Sequence, residues 1–177
     1  LSQAEHGWGV AAVCITDSEE LARAVQNEVA EQLAALPRSE IMAQALDEYG
    51  AVVVVPDLDA GIDLLNRMAP EHAELLVANP WAWVDKVRHC GALFLGSAST
   101  EPVGDYFAGT NHVLPTNGAA RYASSLGVAD FVKTTSIIAY TDQRLATASE
   151  HIVRLAEAEG LAAHARAVSI RQDRRAR

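Results

Sequence analysis

The chain of 177 residues is long enough for one large domain, or for one domain with a small appendage. Half of its residues are hydrophobic and 21% are charged, which favours a packed core over extensive disorder. The net charge of −9 argues against nucleic-acid binding as the main function, and no apolar run approaches the roughly 20 residues of a membrane span. With two cysteines and no recognisable signal peptide, the sequence predicts a protein of the reducing cytoplasm.

The first half of the chain predicts alternating strands and helices. In order, the pattern indicates a helix end at 1–6, a strand at 10–15, a helix from 17 that Pro37 ends, a helix at 38–48, a strand at 51–55, a helix at 58–68, a strand at 73–77, a helix at 80–88 and a strand at 91–95. Thr16 with Glu19 fits a capping box, and Asp57 is placed to cap a later helix. The strand at 51–55 is nearly all β-branched, as in strands buried on both faces of a parallel sheet. This alternation predicts an α/β fold.

The second half of the chain has a different residue pattern. Glycines punctuate 96–127, which predicts a long loop of functional importance. A strand at 133–140 and helices at 142–158 and 161–168 follow, the longer with an inward stripe of Leu145, Ala148, Ile152 and Leu155. We therefore predict an α/β domain over 1–140 and a helical appendage over 141–177. The basic cluster Arg171, Arg174, Arg175 and Arg177 is interpreted as a solvated tail, with a nucleic-acid arm as the alternative.

Several residues could carry chemistry. Glu71 and His72 follow the helix breaker Pro70, and a carboxylate beside an imidazole offers two proton acceptors, although a solvated helix end is the plain alternative. Gln3 and His6, three apart on one helix face, could bind a metal or lie at a surface.

Other candidates are weaker when each is taken alone. Asp105 and His112 lie in the glycine-rich loop, and Glu159 and His164 flank Gly160. Cys90 beside His89 could be a nucleophile, but an idle thiol is the simpler interpretation. The sequence contains no H-E-x-x-H, C-x-x-C or G-x-G-x-x-G motif, so it shows no mark of a dinucleotide site.

Taken together, the motifs are far more specific than their parts. Six of them occur in one order: Ser2 to His6 (SQAEH), Ala69 to His72 (APEH), Phe94 to Gly96 (FLG), Gly104 to Tyr106 (GDY), Asn111 to Thr116 (NHVLPT), and Ala158 to Leu161 (AEGL) with His164 to Arg166 (HAR). This order closely resembles the C-terminal portion of the histidinol dehydrogenase family, and the resemblance covers essentially the whole chain. It implies an incomplete Rossmann-like sheet flanked by helices, with a small C-terminal helical appendage.

The resemblance also implies roles for individual residues. The residues that match the family's zinc ligands are Gln3, His6, Asp105 and His164. Glu71 and His72 match the two catalytic acid–base residues. Those matching substrate contacts are Gln3, His6, His72, Asp105, His112, Glu159 and His164. The family implies one zinc ion per subunit and NAD, but an upstream NAD-binding lobe is expected to be absent, so no cofactor-binding residue is assigned here.

The family reaction is the NAD-dependent oxidation of L-histidinol through L-histidinal to L-histidine. The resemblance implies a cytoplasmic homodimer in which the appendage completes the partner's site through His164 and Glu159. Two departures weaken the substrate assignment: Thr110 stands where the family usually has proline, and residues 117–123 differ from the usual pattern. A related dehydrogenase for another small polar alcohol, such as a sulfonated diol, and a catalytically inactive zinc-binding fragment therefore stay open.

Overall fold

The computed structural model describes residues 1–173, which divide into a unit formed by Leu1–Phe131 and a second that begins at Val132. The first unit contains α1 (Ser2–Glu5), β1 (Val13–Thr16), α2 (Glu19–Ala35), α3 (Ser39–Tyr49), β2 (Ala51–Val54), α4 (Leu58–Met68), β3 (His72–Leu75), a 3-10 helix (Pro80–Lys86), β4 (Ala92–Leu95), α5 (Glu101–Tyr106) and 3-10 turns at Ala119–Arg121 and Val128–Phe131. The second contains α6 (Asp142–Ala158) and α7 (Ala162–Asp173). No helix in this described part is long and apolar enough to cross a bilayer.

The strands form two short parallel sheets rather than one. In the first, β1 pairs with β2 so that Val13 lies opposite Ala51, and in the second β3 pairs with β4 so that His72 lies opposite Ala92. Helices connect the paired strands, as parallel pairing requires. The prediction of an α/β fold with parallel strands flanked by helices is confirmed.

The predicted strand at 133–140 is wrong, because residues 132–140 adopt neither helix nor strand. Its β-branched and aromatic residues gave a strand pattern, but Ile137 and Ile138 are 92% and 84% exposed. A strand needs a pairing partner for its backbone and a surface for its side chains, and residues 1–173 supply neither to this segment. Three of the four tail arginines, Arg174, Arg175 and Arg177, lie outside the described residues.

The predicted caps of the two helices behave differently. Asp57 caps α4 as expected, since its Oδ1 accepts a hydrogen bond of 2.8 Å from the Ala60 N–H. The Thr16 prediction is wrong, because Thr16 is the buried last residue of β1. Ser18 is the N-cap of α2, and its Oγ accepts from the Leu21 N–H at 3.1 Å. Thr16 instead accepts from the Ser18 N–H, so its hydroxyl supports the turn before the helix.

Burial departs from the prediction in two other elements. β2 is not buried on both faces, because Ala51 and Val54 at its ends are exposed and a two-stranded sheet covers little surface. The stripe predicted along α6 is only partly turned inward, since Ile152 and Leu155 are exposed and Ala156 is the buried residue. The α6–α7 turn passes through Gly160, whose φ of +75° lies in the left-handed region that glycine adopts without a steric penalty.

Two separate hydrophobic clusters stabilise the first unit. One consists of Ile62, Leu65, Ala73 and Leu75, and joins α4 to the β3–β4 sheet. The other consists of Ala4, Met42 and Ala45, with Leu1, Ala12, Leu33 and Leu46 packed around it. The second cluster attaches the short α1 to α3, so the N-terminal segment is anchored although α1 has only four residues.

Candidate metal and acid–base site

The turn from Ala69 to His72 is a tightly constrained part of the backbone. α4 ends at Ala69, which has φ 51° and ψ 59°, a left-handed conformation that is uncommon for a residue with a Cβ. Ala69 is fully buried, so the surrounding structure must hold it there. Pro70 follows directly, and His72 is already the first residue of β3. The turn therefore delivers Glu71 and His72 to the start of the β3–β4 sheet.

The start of β4 holds this turn from the other side. The Gly91 N–H donates to the Pro70 carbonyl at 3.0 Å, and the Ala92 N–H donates to the Glu71 carbonyl at 2.8 Å. A Cβ on Gly91 would lie 2.6 Å from the Glu71 carbonyl oxygen, closer than real Cβ contacts allow. Glycine at position 91 thus permits the close approach that fixes the Glu71–His72 backbone.

The His72 side chain is almost completely buried, with 8% of its surface exposed. Its Nδ1 lies 3.0 Å from Gln3 Oε1, and because an amide oxygen only accepts, Nδ1 carries the hydrogen. In the neutral imidazole Nε2 then carries the lone pair, and it has no hydrogen-bond partner among the residues described. Its closest carboxylate is Asp105, with Oδ1 at 4.0 Å. An imidazole with one nitrogen held by Gln3 and the other left without a partner in the described residues is suited to accept a proton in its neutral form.

A second close approach brings α5 to this imidazole. A Cβ on Gly104 would lie 2.7 Å from the ring of Phe94, so the absence of a side chain lets α5 lie directly against β4. The Phe94 ring in turn packs against His72, with ring centroids 6.0 Å apart. This packing explains physically why two separate motifs contribute to one site, and it places Asp105 beside His72.

Three side chains near His72 could hold a metal ion. Ligand atoms of His6, Glu101 and Asp105 all lie within 4.8 Å of one another. His6 Nε2 is 2.8 Å from Glu101 Oε1, and the Glu101 side chain is only 5% exposed. Imidazole nitrogen and carboxylate oxygen are zinc ligands in proteins, so the donor set fits that ion.

Sequence reasoning missed Glu101. The predicted loop over 96–127 hid α5, because Pro102 and Gly104 lie inside a segment that is nonetheless helical over Glu101–Tyr106. Proline is compatible with the first turn of a helix, where its missing N–H would have no partner. The signal that could have found Glu101 is its spacing of four residues before Asp105, which places both carboxylates on one helix face.

The N-terminal segment is held against α5 by a polar contact as well as by its core cluster. The Ser2 hydroxyl donates to Glu101 Oε2 at 3.1 Å. Gln3 and His6 therefore reach the site from a segment that Ala4 anchors in a fully buried position. Gln3, His6, His72 and Asp105, four of the residues predicted from the sequence, are brought together in the first unit.

The other predicted residues differ in their exposure. Glu71 is half-buried at the turn, and His112 is exposed on an irregular segment. Glu159 and His164 are exposed residues of the second unit, at the C-cap of α6 and on α7.

The thiol alternative finds no support in the structure. Burial raises the pKa of the Cys90 thiol, which disfavours the thiolate that a nucleophile requires. Cys14 on β1 is half-buried, and burial raises its pKa in the same direction.

Comparison with known proteins decides the family. The family model for histidinol dehydrogenase matches residues 1–172. The chain belongs to the histidinol dehydrogenase family. It is 52% identical over 171 residues to histidinol dehydrogenase of Bacillus cereus and 53% identical over 173 residues to that of Moorella thermoacetica, covering 97% and 98% of this chain but 40% and 41% of those proteins.

A solved histidinol dehydrogenase has the same fold. The crystal structure of the enzyme from Elizabethkingia anophelis matches 99% of this chain and 40% of that chain, with a TM-score of 0.86 and 37% identity. The resemblance deduced from the six motifs is thus confirmed. The chain spans about 40% of the length of the histidinol dehydrogenases it matches.

Proposed function

We propose that this chain carries the acid–base and metal-binding part of a zinc-dependent, NAD-linked oxidation of L-histidinol to L-histidine through L-histidinal. Family membership supports the reaction class. The observation that carries the proposal is the buried Nε2 of His72, which has no hydrogen-bond partner in the part of the chain that the structure describes and lies beside the His6–Glu101–Asp105 group. Oxidation of an alcohol by hydride loss requires a base for the hydroxyl proton. His72 Nε2, with its lone pair left free by the bond to Gln3, is that base.

Glu71 has the second proton-transfer role. The aldehyde must be hydrated before a second hydride can leave, and the half-buried Glu71 carboxylate can take a proton from the attacking water. Because the hydrogen bonds from β4 fix the backbone at Pro70 and Glu71, the two acceptors keep a defined separation while they serve successive steps. Bound zinc would hold the substrate's nitrogen atoms, and NAD would accept the hydride.

The remaining assignments extend this proposal. Gln3, His6, Asp105 and His164 would hold one zinc ion per subunit, and the oxygen and nitrogen donors of this set suit zinc. His112 and Glu159 would contact the substrate. In a cytoplasmic homodimer, Glu159 and His164 would serve the partner's site. The sequence contains no dinucleotide-binding motif, so we propose that residues outside this chain bind NAD and that the chain alone does not turn over.

The test joins this chain to the N-terminal portion of the Bacillus cereus relative and follows NAD reduction with histidinol and with histidinal. His72→Gln should lower the rate of alcohol oxidation by about 10²–10⁴-fold, the usual contribution of a positioned base. Glu71→Gln should leave that step and abolish aldehyde oxidation, while the exposed Glu40→Gln, a matched charge change on α3, should alter neither. An intact aldehyde-to-acid step in Glu71→Gln would refute the hydration role. Turnover of a polar diol without turnover of histidinol would shift the proposal to the related dehydrogenase.

A further inference from the structure

We propose that Asn66 is a positioning residue for the acid–base pair, because it bridges α4 to the segment before β4 and so fixes the backbone of Glu71 and His72. Asn66 lies on α4, one helical turn before Pro70. It belongs to none of the six sequence motifs that indicate the family. This inference rests on the proposed function, since it concerns how the proposed pair is held.

The first argument is the complete use of the Asn66 amide. Its Oδ1 accepts from the Arg88 N–H at 2.7 Å and from the His89 N–H at 3.2 Å, and its Nδ2 donates to the Lys86 carbonyl at 2.9 Å. Residues 87–90 form neither helix nor strand, and no carbonyl of the described chain accepts from those two N–H groups. The amide therefore supplies the hydrogen bonds that regular secondary structure would otherwise provide.

The second argument is where the bridged segment leads. Cys90 alone separates His89 from β4 and the N–H groups before it, which donate to the carbonyls of Pro70 and Glu71. Asn66 stands at the other end of the same turn, on the helix that runs into it. The bridge therefore joins the two structures between which the turn is held, the last turn of α4 and the start of β4.

The third argument is that the other contacts of this segment are less directional. Val87 and Cys90 pack against the cluster that joins α4 to the β3–β4 sheet, and the Lys86 ammonium pairs with Asp59 at the surface. Apolar packing is non-directional, and an exposed ion pair contributes little. The three hydrogen bonds of Asn66 are directional, so they set the position of the backbone that enters β4.

The kinetic experiment uses the joined enzyme described above. Asn66→Ala should lower kcat for both oxidation steps by about 10–100-fold, because a misplacement of about 1 Å can cost about 10²-fold. KM for histidinol and zinc affinity should not change, since the zinc ligands proposed in the first unit lie on other elements. Asn66→Asp keeps the oxygen acceptor but loses the donor to Lys86, so it should recover part of kcat. Asn27→Ala makes the same change at an exposed position of α2 and should alter neither constant.

A second measurement does not depend on activity. Amide hydrogen exchange of this chain should be faster at Gly91 and Ala92 in Asn66→Ala than in the wild type, and unchanged in β1 and β2. Local opening raises exchange only where contacts are lost, whereas general destabilisation raises it throughout a cooperative unit. Asn66→Asp should show a smaller increase at the same two amides, and it keeps both measurements available if the alanine variant does not fold.

The outcomes separate this inference from the proposed function. If His72→Gln and Glu71→Gln lose their steps while Asn66→Ala keeps wild-type kcat, Asn66 does not position the pair and the proposed function stands. The same conclusion follows if exchange rises equally throughout the first unit, or if Asn66→Asp is as slow as Asn66→Ala. If His72→Gln and Glu71→Gln keep wild-type rates, the proposed function is overturned, and the role of Asn66 in it is overturned as well.

Discussion

Two motif-bearing regions of the first unit are built in opposite ways. Around the Ala69–His72 turn, each group has a specific neighbour: β4 donates to the turn backbone, Gln3 bonds His72, and Phe94 packs against the imidazole ring. The segment 107–131, which carries His112, is mostly exposed, and its aromatic residues Phe107 and Tyr122 are 92% and 86% accessible. Both regions carry specific family motifs, so motif strength alone does not indicate how firmly a residue is positioned within this chain.

The comparison separates two kinds of candidate residue. His72 and Gln3 are joined by a hydrogen bond, and His6 and Asp105 lie beside Glu101 and His72 within the first unit. His112 is not, so its proposed contribution must come through contact with substrate. Substitutions that disturb the first region should therefore change stability and metal binding together, whereas substitutions on the exposed segment should change activity alone.

Met42→Ala should give the largest effect. Met42 is 1% exposed and packs with Ala4, the residue that anchors the segment carrying Gln3 and His6. Truncation should lower the free energy of unfolding by about 2–5 kcal/mol and weaken zinc binding, because the cavity frees α1. Chemical denaturation and chelator competition would measure both changes.

A matched substitution controls for the general cost of losing a methionine. Met68→Ala, at the half-buried end of α4 and outside the cluster that holds α1, should destabilise the chain less and leave zinc affinity unchanged. Equal losses of zinc affinity in both variants would mean that α1 is not specifically anchored by Met42.

Gly91→Ala should give the next largest effect. The new Cβ would lie 2.6 Å from the Glu71 carbonyl oxygen, which is backbone and cannot move independently of Glu71 and His72, the proposed acid–base pair. We expect a loss of about 1–3 kcal/mol from overpacking, with a lower rate for both half-reactions in the complete enzyme.

Gly61→Ala makes the same change where there is room. A Cβ at Gly61 would make ordinary contacts, at 3.4 Å to Ile15 and 3.6 Å to Val55, and alanine favours the helix. This variant should be neutral or more stable by up to about 1 kcal/mol. If Gly91→Ala were as stable and as active as Gly61→Ala, the close approach of β4 to the turn would not matter.

The sequence predicted those parts of the molecule that local chemistry determines. The parallel α/β character, the Asp57 cap and the end of α4 before Pro70 follow from short-range patterns, and the structure contains them. The strand at 133–140 and the full burial of β2 were wrong because both depend on partners that a local pattern does not specify. Glu101 was not predicted as a site residue, because its importance comes from a tertiary contact with His6, nearly a hundred residues away along the chain.

His112→Ala should give the smallest effect on stability and is the most direct test of the contrast between the two regions. Because His112 is exposed, its removal should change the free energy of unfolding by less than about 0.5 kcal/mol and leave zinc binding intact. In the complete enzyme, however, we expect a higher KM for histidinol, since the proposed role of this side chain is contact with substrate. The neighbouring Asn111→Ala is the variant with which His112→Ala is compared. Asn111 Oδ1 accepts a hydrogen bond from the Val113 N–H at 2.8 Å, so this side chain shapes the same segment. If His112→Ala lost more than about 1 kcal/mol of stability, the segment would be packed rather than exposed. The contrast with the buried, hydrogen-bonded His72 would then fail, because the same kind of packing would position both histidines.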